Sequence, residues 1–149
     1  MSLADLSQKE ANILIAMEKI RTNDNAIKYP ARGESVSIDL WSKDRREKFI
    51  LDISCGKIDL LKGTFQNRAR RVVILVRLDF GGKPHRNPNG QEIDSPHLHL
   101  FREAYEDKWA IPVPSDLFSN TNDIGHLLDD FMKYCNIIEP PKIDMELFR

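Results

Sequence analysis

At 149 residues, with a hydrophobic content of 41%, the chain is large enough for one domain with its own core and too small for two. It contains neither the roughly 20 consecutive apolar residues of a membrane span nor a signal-peptide pattern, so we expect a cytoplasmic protein without membrane contact. Its net charge is only −1, which argues against nonspecific binding to nucleic acid.

The charges are nevertheless unevenly distributed along the chain. Residues 1–86 hold 17 Lys and Arg against 11 Asp and Glu, whereas residues 87–149 hold 5 against 12. Such a split fits two halves that complement each other within one fold, and it also fits a basic face for phosphate-bearing partners.

The first predicted element is a helix. Ser7 and Glu10 form a capping-box pattern, and apolar residues recur from Ala11 onward. These features predict a helix over residues 8–21 whose broad apolar face packs against a sheet. Residues 22–33 are rich in Asn, Asp, Pro and Gly and predict a connector.

Alternating apolar and polar residues then predict an antiparallel meander. Two alternating strands cover residues 36–40 and 49–53, and a tight turn leads to a third strand around Ile58. Gly63 indicates a bulge or a bend before the meander continues. The run 72–76 is apolar without alternation and largely β-branched, which predicts a central strand covered on both faces.

The last predicted elements are a helix and a tail. Apolar residues at helical spacing predict a helix over residues 123–134, capped by Thr121 or Asn122, with a tail from about residue 139. We therefore predict a single α+β domain over residues 1–149. Its core is an antiparallel, strongly bent meander of five to six strands packed against an N-terminal and a C-terminal helix.

The two cysteines favour structural roles. Cys55 and Cys135 lie far apart and form no Cys-x-x-Cys pair, which fits two free thiols in a reducing compartment. Cys135 falls on the apolar stripe of the predicted helix, where a thiol packs. Cys55 lies in a predicted turn, and no base accompanies it in the sequence as a nucleophile would require.

A histidine-rich hairpin carries most of the chemistry in the sequence. Residues 96–103 and 108–113 both alternate, and they predict two paired strands joined by a four-residue loop. A register that places His99 opposite Pro112 gathers the apolar residues of both strands on the core side.

The histidines of this hairpin share its non-core face. His97 and His99 are two residues apart, so their Cα atoms lie about 6.6 Å apart, and Phe101 and Glu103 continue the row. Residues 81–95 form a long loop, rich in Gly, Pro and Asn, that can fold over this face. The sequence thus predicts a shallow, half-exposed polar site.

One chemistry that suits the site is metal binding. Two imidazoles at His-x-His spacing on a strand hold zinc or another divalent transition metal. His97 and His99 would then act with His85 or Glu103 as a third ligand.

A second chemistry is general acid–base catalysis on a phosphodiester without a metal. His97 and His99 would act as acid and base and His85 would assist them. The candidates for substrate binding are charged side chains of the same region, namely Lys83, Arg86, Glu103 and Lys108. The three cations can contact phosphate, and the Glu103 carboxylate can order the site.

A third reading is noncovalent. Arg86, the two hairpin histidines, Phe101 and Trp109 are also residues of peptide or nucleotide docking surfaces. Histidines on a half-exposed sheet face are often only solvated or hydrogen-bonded to their neighbours, and the sequence leaves these alternatives open.

Two further groups favour surface roles. His126 lies off the apolar stripe of its predicted helix, where a solvated side chain is typical. Arg68, Arg70 and Arg71 precede the central strand, and a solvated connection is favoured there over a phosphate clamp.

Three motifs in this region, KPHRNP (residues 83–88), PHLH (96–99) and DKWA (107–110), resemble the core of a known family. It comprises short bacterial proteins of unknown function, often encoded on prophages, plasmids and other mobile elements. The resemblance covers most of the chain and implies no established activity. It does imply a setting in which small proteins are frequently toxins, antitoxins or inhibitors of host defence.

We therefore predict a small toxin-type enzyme that cleaves RNA or processes nucleotides through the paired histidines. The alternative is a noncatalytic interaction protein, antitoxin-like or a host-defence inhibitor, that binds a protein or a nucleic acid. A concave site in which His85, His97 and His99 converge within hydrogen-bond reach of one point would favour the enzyme, whereas a flat or convex patch would favour the interaction protein. The sequence leaves the oligomeric state open.

Overall fold

The computed structural model describes residues 6–148 and has an α+β architecture. Within these residues, no helix is long and apolar enough to cross a membrane. In chain order the elements are α1 (Gln8–Ala16), β1 (Lys19–Arg21), β2 (Ala26–Lys28), β3 (Ser35–Ser42), β4 (Lys48–Cys55), β5 (Gly63–Ala69), β6 (Val73–Phe80), β7 (His85–Arg86), β8 (Glu92–Ile93), β9 (His97–Leu100), β10 (Ala110–Pro112), α2 (Ile124–Tyr134), β11 (Ile137–Glu139), β12 (Lys142–Asp144) and a 3-10 helix (Glu146–Phe148).

Eight strands form the main sheet, in the order β10-β9-β6-β5-β4-β3-β1-β11. Its neighbouring strands are antiparallel except for β1 and β11, which are parallel. The predicted count of five to six strands is therefore too low. The extra strands β1 and β11 are three residues long, which is too short to show a period of their own. Strand β1 lies at the end of the predicted first helix, and β11 lies between the predicted second helix and the predicted tail.

Both helices begin at side-chain caps. Ser7 Oγ accepts a hydrogen bond from the backbone N–H of Glu10 at 3.1 Å, and the Asp123 carboxylate accepts one from His126 N at 3.2 Å. Each cap satisfies an amide that has no partner within its helix. The cap of α2 is therefore Asp123, not one of the two residues before it.

The end of α1 was predicted five residues too late, because a buried lysine ends it. The helix stops at Ala16, and Lys19 is fully buried. Its Nζ donates to the carbonyl oxygens of Ile15, Met17 and Cys135 at 2.9, 2.9 and 2.7 Å. A cation is favourable at these carbonyls because they lie at the C-terminal ends of the two helices. Burial lowers the pKa of Lys19 to about 8.

A bulge explains the apolar run that was predicted as a central strand. Asn67 pairs with Val76 and Arg68 pairs with Ile74, so Leu75 is an extra residue between the two pairs. Leu75 and Val76 are consequently both buried, although neighbouring residues on a regular strand face opposite sides.

The segment after β4 turns away from the sheet instead of forming the predicted strand. Ile58 is 91% exposed, and β5 begins only at Gly63. A Cβ atom at Gly63 would collide with the carbonyl oxygen of Ser54 and lie 2.9 Å from the Phe80 ring. Glycine is therefore required here by close packing, and the bulge predicted at this position lies in β6.

The predicted tail is also built into the fold. Strand β12 runs parallel to β2, and the Phe148 ring packs edge-on against Tyr29 at 5.1 Å between centroids. Tyr29 is 2% exposed, so this contact belongs to the core.

The two faces of the sheet differ in chemistry, and this difference positions the site. The apolar face packs with α1 and α2 in one core, where the Phe65 and Phe131 rings lie 5.9 Å apart. The opposite face carries polar side chains in cross-strand rows. One row joins Thr64, Asp79 and His97, and the next joins Gln66, Arg77 and His99.

Candidate functional site

The histidine hairpin forms in a register two residues away from the predicted one. His99 pairs with Ala110 and His97 pairs with Pro112. A shift of two residues keeps every side chain on its face, so the two histidines still stand side by side. Their neighbours across the hairpin, however, are not the expected ones.

The predicted continuation of the row through Phe101 and Glu103 is wrong. Phe101 leaves the strand, donates its N–H to the carbonyl of Leu75 at 2.9 Å and buries its ring in the core. The Glu103 carboxylate accepts a hydrogen bond from Gln8 N at 2.7 Å, at the first residue of α1. Glu103 thus satisfies a helix N-terminus and contacts neither a metal site nor the histidines.

The two hairpin histidines are buried, whereas the sequence predicted half-exposed side chains. His97 is 3% exposed and His99 is 0% exposed. The cover comes from the segment 81–95, which contains the short hairpin of β7 and β8. Asn87 fixes this hairpin along the sheet edge, since its side-chain amide exchanges two hydrogen bonds with the backbone of Ala110 at 2.8 and 2.9 Å.

This cover brings the third histidine to the other two. The His85 ring centroid lies 4.5 Å from that of His99 and 5.7 Å from that of His97, and the latter two are 5.0 Å apart. His85 Nε2 lies 2.8 Å from the carbonyl of Lys108, and His99 Nδ1 lies 2.7 Å from the carbonyl of Asp107. Because a carbonyl only accepts, both nitrogens carry hydrogen, which fixes the tautomer of each neutral ring.

A carboxylate that the sequence reading missed joins the histidines from β6. Asp79 Oδ2 lies 3.4 Å from His97 Nε2 and 3.2 Å from His99 Nε2. Its Oδ1 accepts from Thr64 Oγ1 at 3.0 Å and lies 3.3 Å from Arg77 Nε. The signal was present, since Arg77 and Asp79 are charged residues at alternate positions of an apolar strand.

Arg77 is the cation of this cluster. Its guanidinium forms an ion pair with Asp107, and Nη2 lies 3.1 Å from His99 Nε2. A neutral His99 accepts a hydrogen bond from Arg77 there, and a protonated His99 donates one to Asp79 instead. The hydrogen-bond partner of His99 Nε2 therefore depends on whether that nitrogen carries a proton.

The environment shifts the pKa values of two of these groups in different ways. Burial lowers the pKa of His97 below 6.5 and outweighs the raising effect of Asp79. Burial alone would raise the pKa of Asp79, but its hydrogen bond with His99 and the charge of Arg77 lower that pKa to about 2. Near neutral pH the site thus combines a carboxylate with an uncharged imidazole.

A cavity of about 530 Å³ opens onto this cluster. Its functional lining residues, which come from β5, β6, β9 and the segments beside them, are Lys62, Thr64, Arg77, Asp79, Lys83, His85 and His97. His99 does not line it, because its ring is fully buried. The site is thus an open depression in the surface, and two of the three histidines that were expected to converge on it border it.

Two cations that were predicted to contact substrate do not line this cavity. Arg86 is exposed and pairs with Glu92 at 3.1 Å. Lys108 does not line it either, and its backbone carbonyl is what contacts a site residue, His85. Lys83 does line the cavity, so of the basic residues predicted for substrate it is the one in position.

The predicted metal ligands also change. One ligand atom from each of Asp79, His97 and His99 lies within 4.8 Å of the others, which is close enough to hold a metal ion. His85 and Glu103, the two predicted choices for the third ligand, are both outside this set. Arg77 lies 3.1 Å from His99 Nε2, so its guanidinium competes with a cation for that nitrogen.

The other candidates from the sequence lie outside the cavity. Cys55 and Cys135 are buried free thiols, and burial raises the pKa of both, that of Cys135 to about 12. Such thiols are poor nucleophiles. His126 is exposed on α2, with its Nε2 3.0 Å from Ser119 Oγ.

We expect the free energy of unfolding to fall in two steps as the pH drops. Below pH 6.5 an unfolded chain takes up a proton on His97 that the folded chain resists, so stability falls. Between pH 3.8 and about 2 the loss of the Asp79 charge removes a further amount, about 2 kcal/mol. Urea unfolding at pH 7.0, 5.5, 3.8 and 2.0 measures both steps, and His97→Asn should flatten the first step. Equal pH dependence in both proteins would contradict it.

Comparisons with known proteins give one distant relative and a family. Over 102 residues the chain is 24% identical to the transcription termination factor FttA of Cenarchaeum symbiosum (strain A), which corresponds to 68% of this chain and 16% of that factor. The chain thus spans well under two thirds of that relative's length. No solved structure matches it. A family model matches residues 6–137, and the chain therefore belongs to DUF6978, a family of unknown function.

Proposed function

We propose that the chain is a metal-independent acid–base enzyme that cleaves a phosphodiester of RNA. The observation that carries the proposal is that His85 and His97 border one concave cavity together with Arg77 and Lys83. Two imidazoles beside two cations are the groups that phosphodiester cleavage needs. A noncatalytic interaction protein would more naturally present a flat or convex patch.

The two histidines differ in a way that assigns their roles. Burial keeps His97 uncharged near neutral pH by lowering its pKa, which suits a base. Its Nε2 faces Asp79, so the atom that would accept the proton of the attacking ribose hydroxyl is Nδ1, a buried nitrogen without a hydrogen-bond partner among residues 6–148. The attacking oxygen bonds to phosphorus as the bond from phosphorus to the leaving oxygen breaks. A protonated His85 gives its proton to that leaving oxygen, while Arg77 and Lys83 stabilise the charge on the nonbridging oxygens.

In this proposal His99 is a positioning residue. Its ring is fully buried, so it meets no substrate, but it contacts both Arg77 and Asp79. Asp79 in turn lies 3.4 Å from His97 Nε2. A carboxylate at this distance fixes the ring orientation and stabilises the imidazolium that forms when His97 takes up a proton.

The distant relative supports a nucleic-acid substrate, since its name places it in transcription. The resemblance to short proteins on mobile elements supports a toxin-type setting for such an activity. Both are consistent with a small enzyme that acts on cellular RNA.

The test is incubation of the purified chain with a single-stranded RNA in excess EDTA, with a DNA of the same sequence as the matched control. We expect cleavage of the RNA alone, with a 2′,3′-cyclic phosphate on the product, because attack by the 2′-hydroxyl forms it. Absence of RNA cleavage under all buffer conditions, or equal cleavage of the DNA, would overturn the proposal.

A metal centre is the second candidate, and the closeness of Asp79, His97 and His99 favours it. Two imidazoles and one carboxylate suit a divalent transition metal, provided that Arg77 releases His99. Metal analysis of the purified protein decides between the two. A stoichiometric metal that is lost in His99→Ala, with activity abolished by EDTA, would replace the metal-independent mechanism.

A further inference from the structure

A second cavity, of about 570 Å³, lies at the turns that join β3 to β4 and β5 to β6. Trp41 and Lys48 are cross-strand partners at the first turn, and Arg70 and Arg71 form the second. These four residues line the cavity and together form what we term the basic turn patch. Asp39 and Glu47 also line the cavity, and Arg70 lies 3.6 Å from Glu47 and 3.8 Å from Glu10. Lys48 and Arg71 have no ion-pair partner among residues 6–148, so they are the cations of the patch that can meet a phosphate.

The backbone of these turns is not one that arginine favours. Arg45, Arg70 and Arg71 have φ angles of 62°, 49° and 67°. This left-handed region suits glycine or asparagine, and it costs free energy for other residues. Folding alone therefore does not explain three arginines here, and strained residues of this kind are typical of binding sites.

The patch combines an aromatic ring with cations. Trp41 is half-buried, and Lys48 Nζ lies 5.1 Å from the centroid of its ring. Lys48 covers one face of the ring, so a base would stack on the other face, and the neighbouring cations can hold its phosphates. Stacking of this kind requires an unpaired base, so the chemistry fits a single strand and not a duplex.

The patch lies on the same sheet face as the histidine cavity. Trp41 alternates with Asp39, Ser37 and Ser35, and Ser35 belongs to the same cross-strand row as His97. Four strand spacings and six residues separate Trp41 from His97, a distance on the order of 28 Å. The polar face between them carries Arg68, whose charge is paired with Asp52, so a strand of a few nucleotides that crosses it meets a polar surface and gains its charge contacts at the two ends.

We propose that the basic turn patch binds single-stranded RNA and delivers it across the polar face of the sheet to the histidine cavity. The identity of the RNA as a substrate rests on the proposed function, whereas its binding at the patch does not. The affinity then comes from Trp41, Lys48 and Arg71, and the chemistry from the distant cavity.

The first test is fluorescence anisotropy with a labelled single-stranded RNA of 12 nucleotides. Arg70→Asn/Arg71→Gly should weaken binding about tenfold, and the slope of log Kd against log salt should fall by about 0.7 for each phosphate that the variant no longer neutralises. Its Tm should stay equal or rise, because both new residues favour the left-handed backbone. Trp41→Ala should weaken binding to a similar degree but leave the slope of log Kd against log salt unchanged, because the ring carries no charge.

The matched control is Lys9→Gln/Lys133→Gln, which removes the same charge from exposed positions on α1 and α2. It should change the Kd less than twofold. Equal weakening by the control, or no binding of the RNA by the unaltered chain, would overturn the patch as a docking site.

A second measurement separates failure of the patch from failure of the catalytic proposal. If both hold, Arg70→Asn/Arg71→Gly lowers kcat/KM for the 12-nucleotide RNA about tenfold more than for a dinucleotide, which is too short to reach the patch. Binding that depends on the patch, without any cleavage, would support the docking site and refute the proposed enzymatic activity. If the RNA is cleaved but the variant loses the same fraction of kcat/KM for both substrates, the docking site would be refuted and the proposed enzymatic activity would stand.

Discussion

Exchange of His97 for asparagine is expected to reduce the kcat of RNA cleavage about a thousandfold. Asparagine keeps a polar side chain of similar reach beside Asp79 but cannot accept a proton near neutral pH. His97 is 3% exposed and borders the cavity, so the substitution removes the proposed base without opening the surface. The pH profile of any residual activity should lose the limb that the titration of His97 produces.

His126→Asn is the matched control for this prediction. It makes the same change on the exposed face of α2, outside the cavity, and should leave kcat within twofold of the original value. A His97→Asn protein that folds normally and retains a tenth or more of the activity would remove His97 as the base.

The sequence predicted those parts of the site that depend on the period of a strand. His97 and His99 are two residues apart on one strand and therefore share a face. A register shift of two residues leaves that face pointing away from the core, so the two-residue error did not affect this prediction. The error itself arose because Phe101 pairs with Leu75 instead of continuing the hairpin. A local pattern does not contain that contact.

Other partners could not be predicted because they depend on which strands become neighbours. Asp79 meets the histidines only because β6 lies between β5 and β9 in the sheet. The burial of Lys19 has a similar cause, since its acceptors come from the ends of two helices that are distant in sequence. Charged residues in an apolar strand still indicate a buried polar cluster, and Arg77 and Asp79 are such residues.

The loop over the site was predicted in position but not in structure. Residues 81–95 were expected to be structureless, yet Asn87 attaches them to the backbone of Ala110. This attachment holds His85 against His99. A composition rich in Gly, Pro and Asn indicates turns, but only the fold shows what those turns contact.

The largest effect on stability is expected from Arg77→Met. The substitution leaves Asp79 and Asp107 without their shared cation, and these two side chains are only 28% and 22% exposed. Removing one partner from a buried charge network is strongly destabilising, and with this residual exposure we expect a loss of about 2 kcal/mol in the free energy of unfolding. Urea denaturation near pH 7 measures it.

A double variant, Arg77→Met/Asp79→Leu, also removes the Asp79 carboxylate that Arg77→Met leaves unpaired. It should recover about half of the lost stability. The control is Arg86→Met, whose pair with Glu92 is 72% and 59% exposed. A pair in solvent contributes little, so this variant should differ from the original by less than about 0.5 kcal/mol. If Arg77→Met were as mild as Arg86→Met, the cluster would not be a buried charge network, and the position from which Asp79 orients His97 would not depend on Arg77.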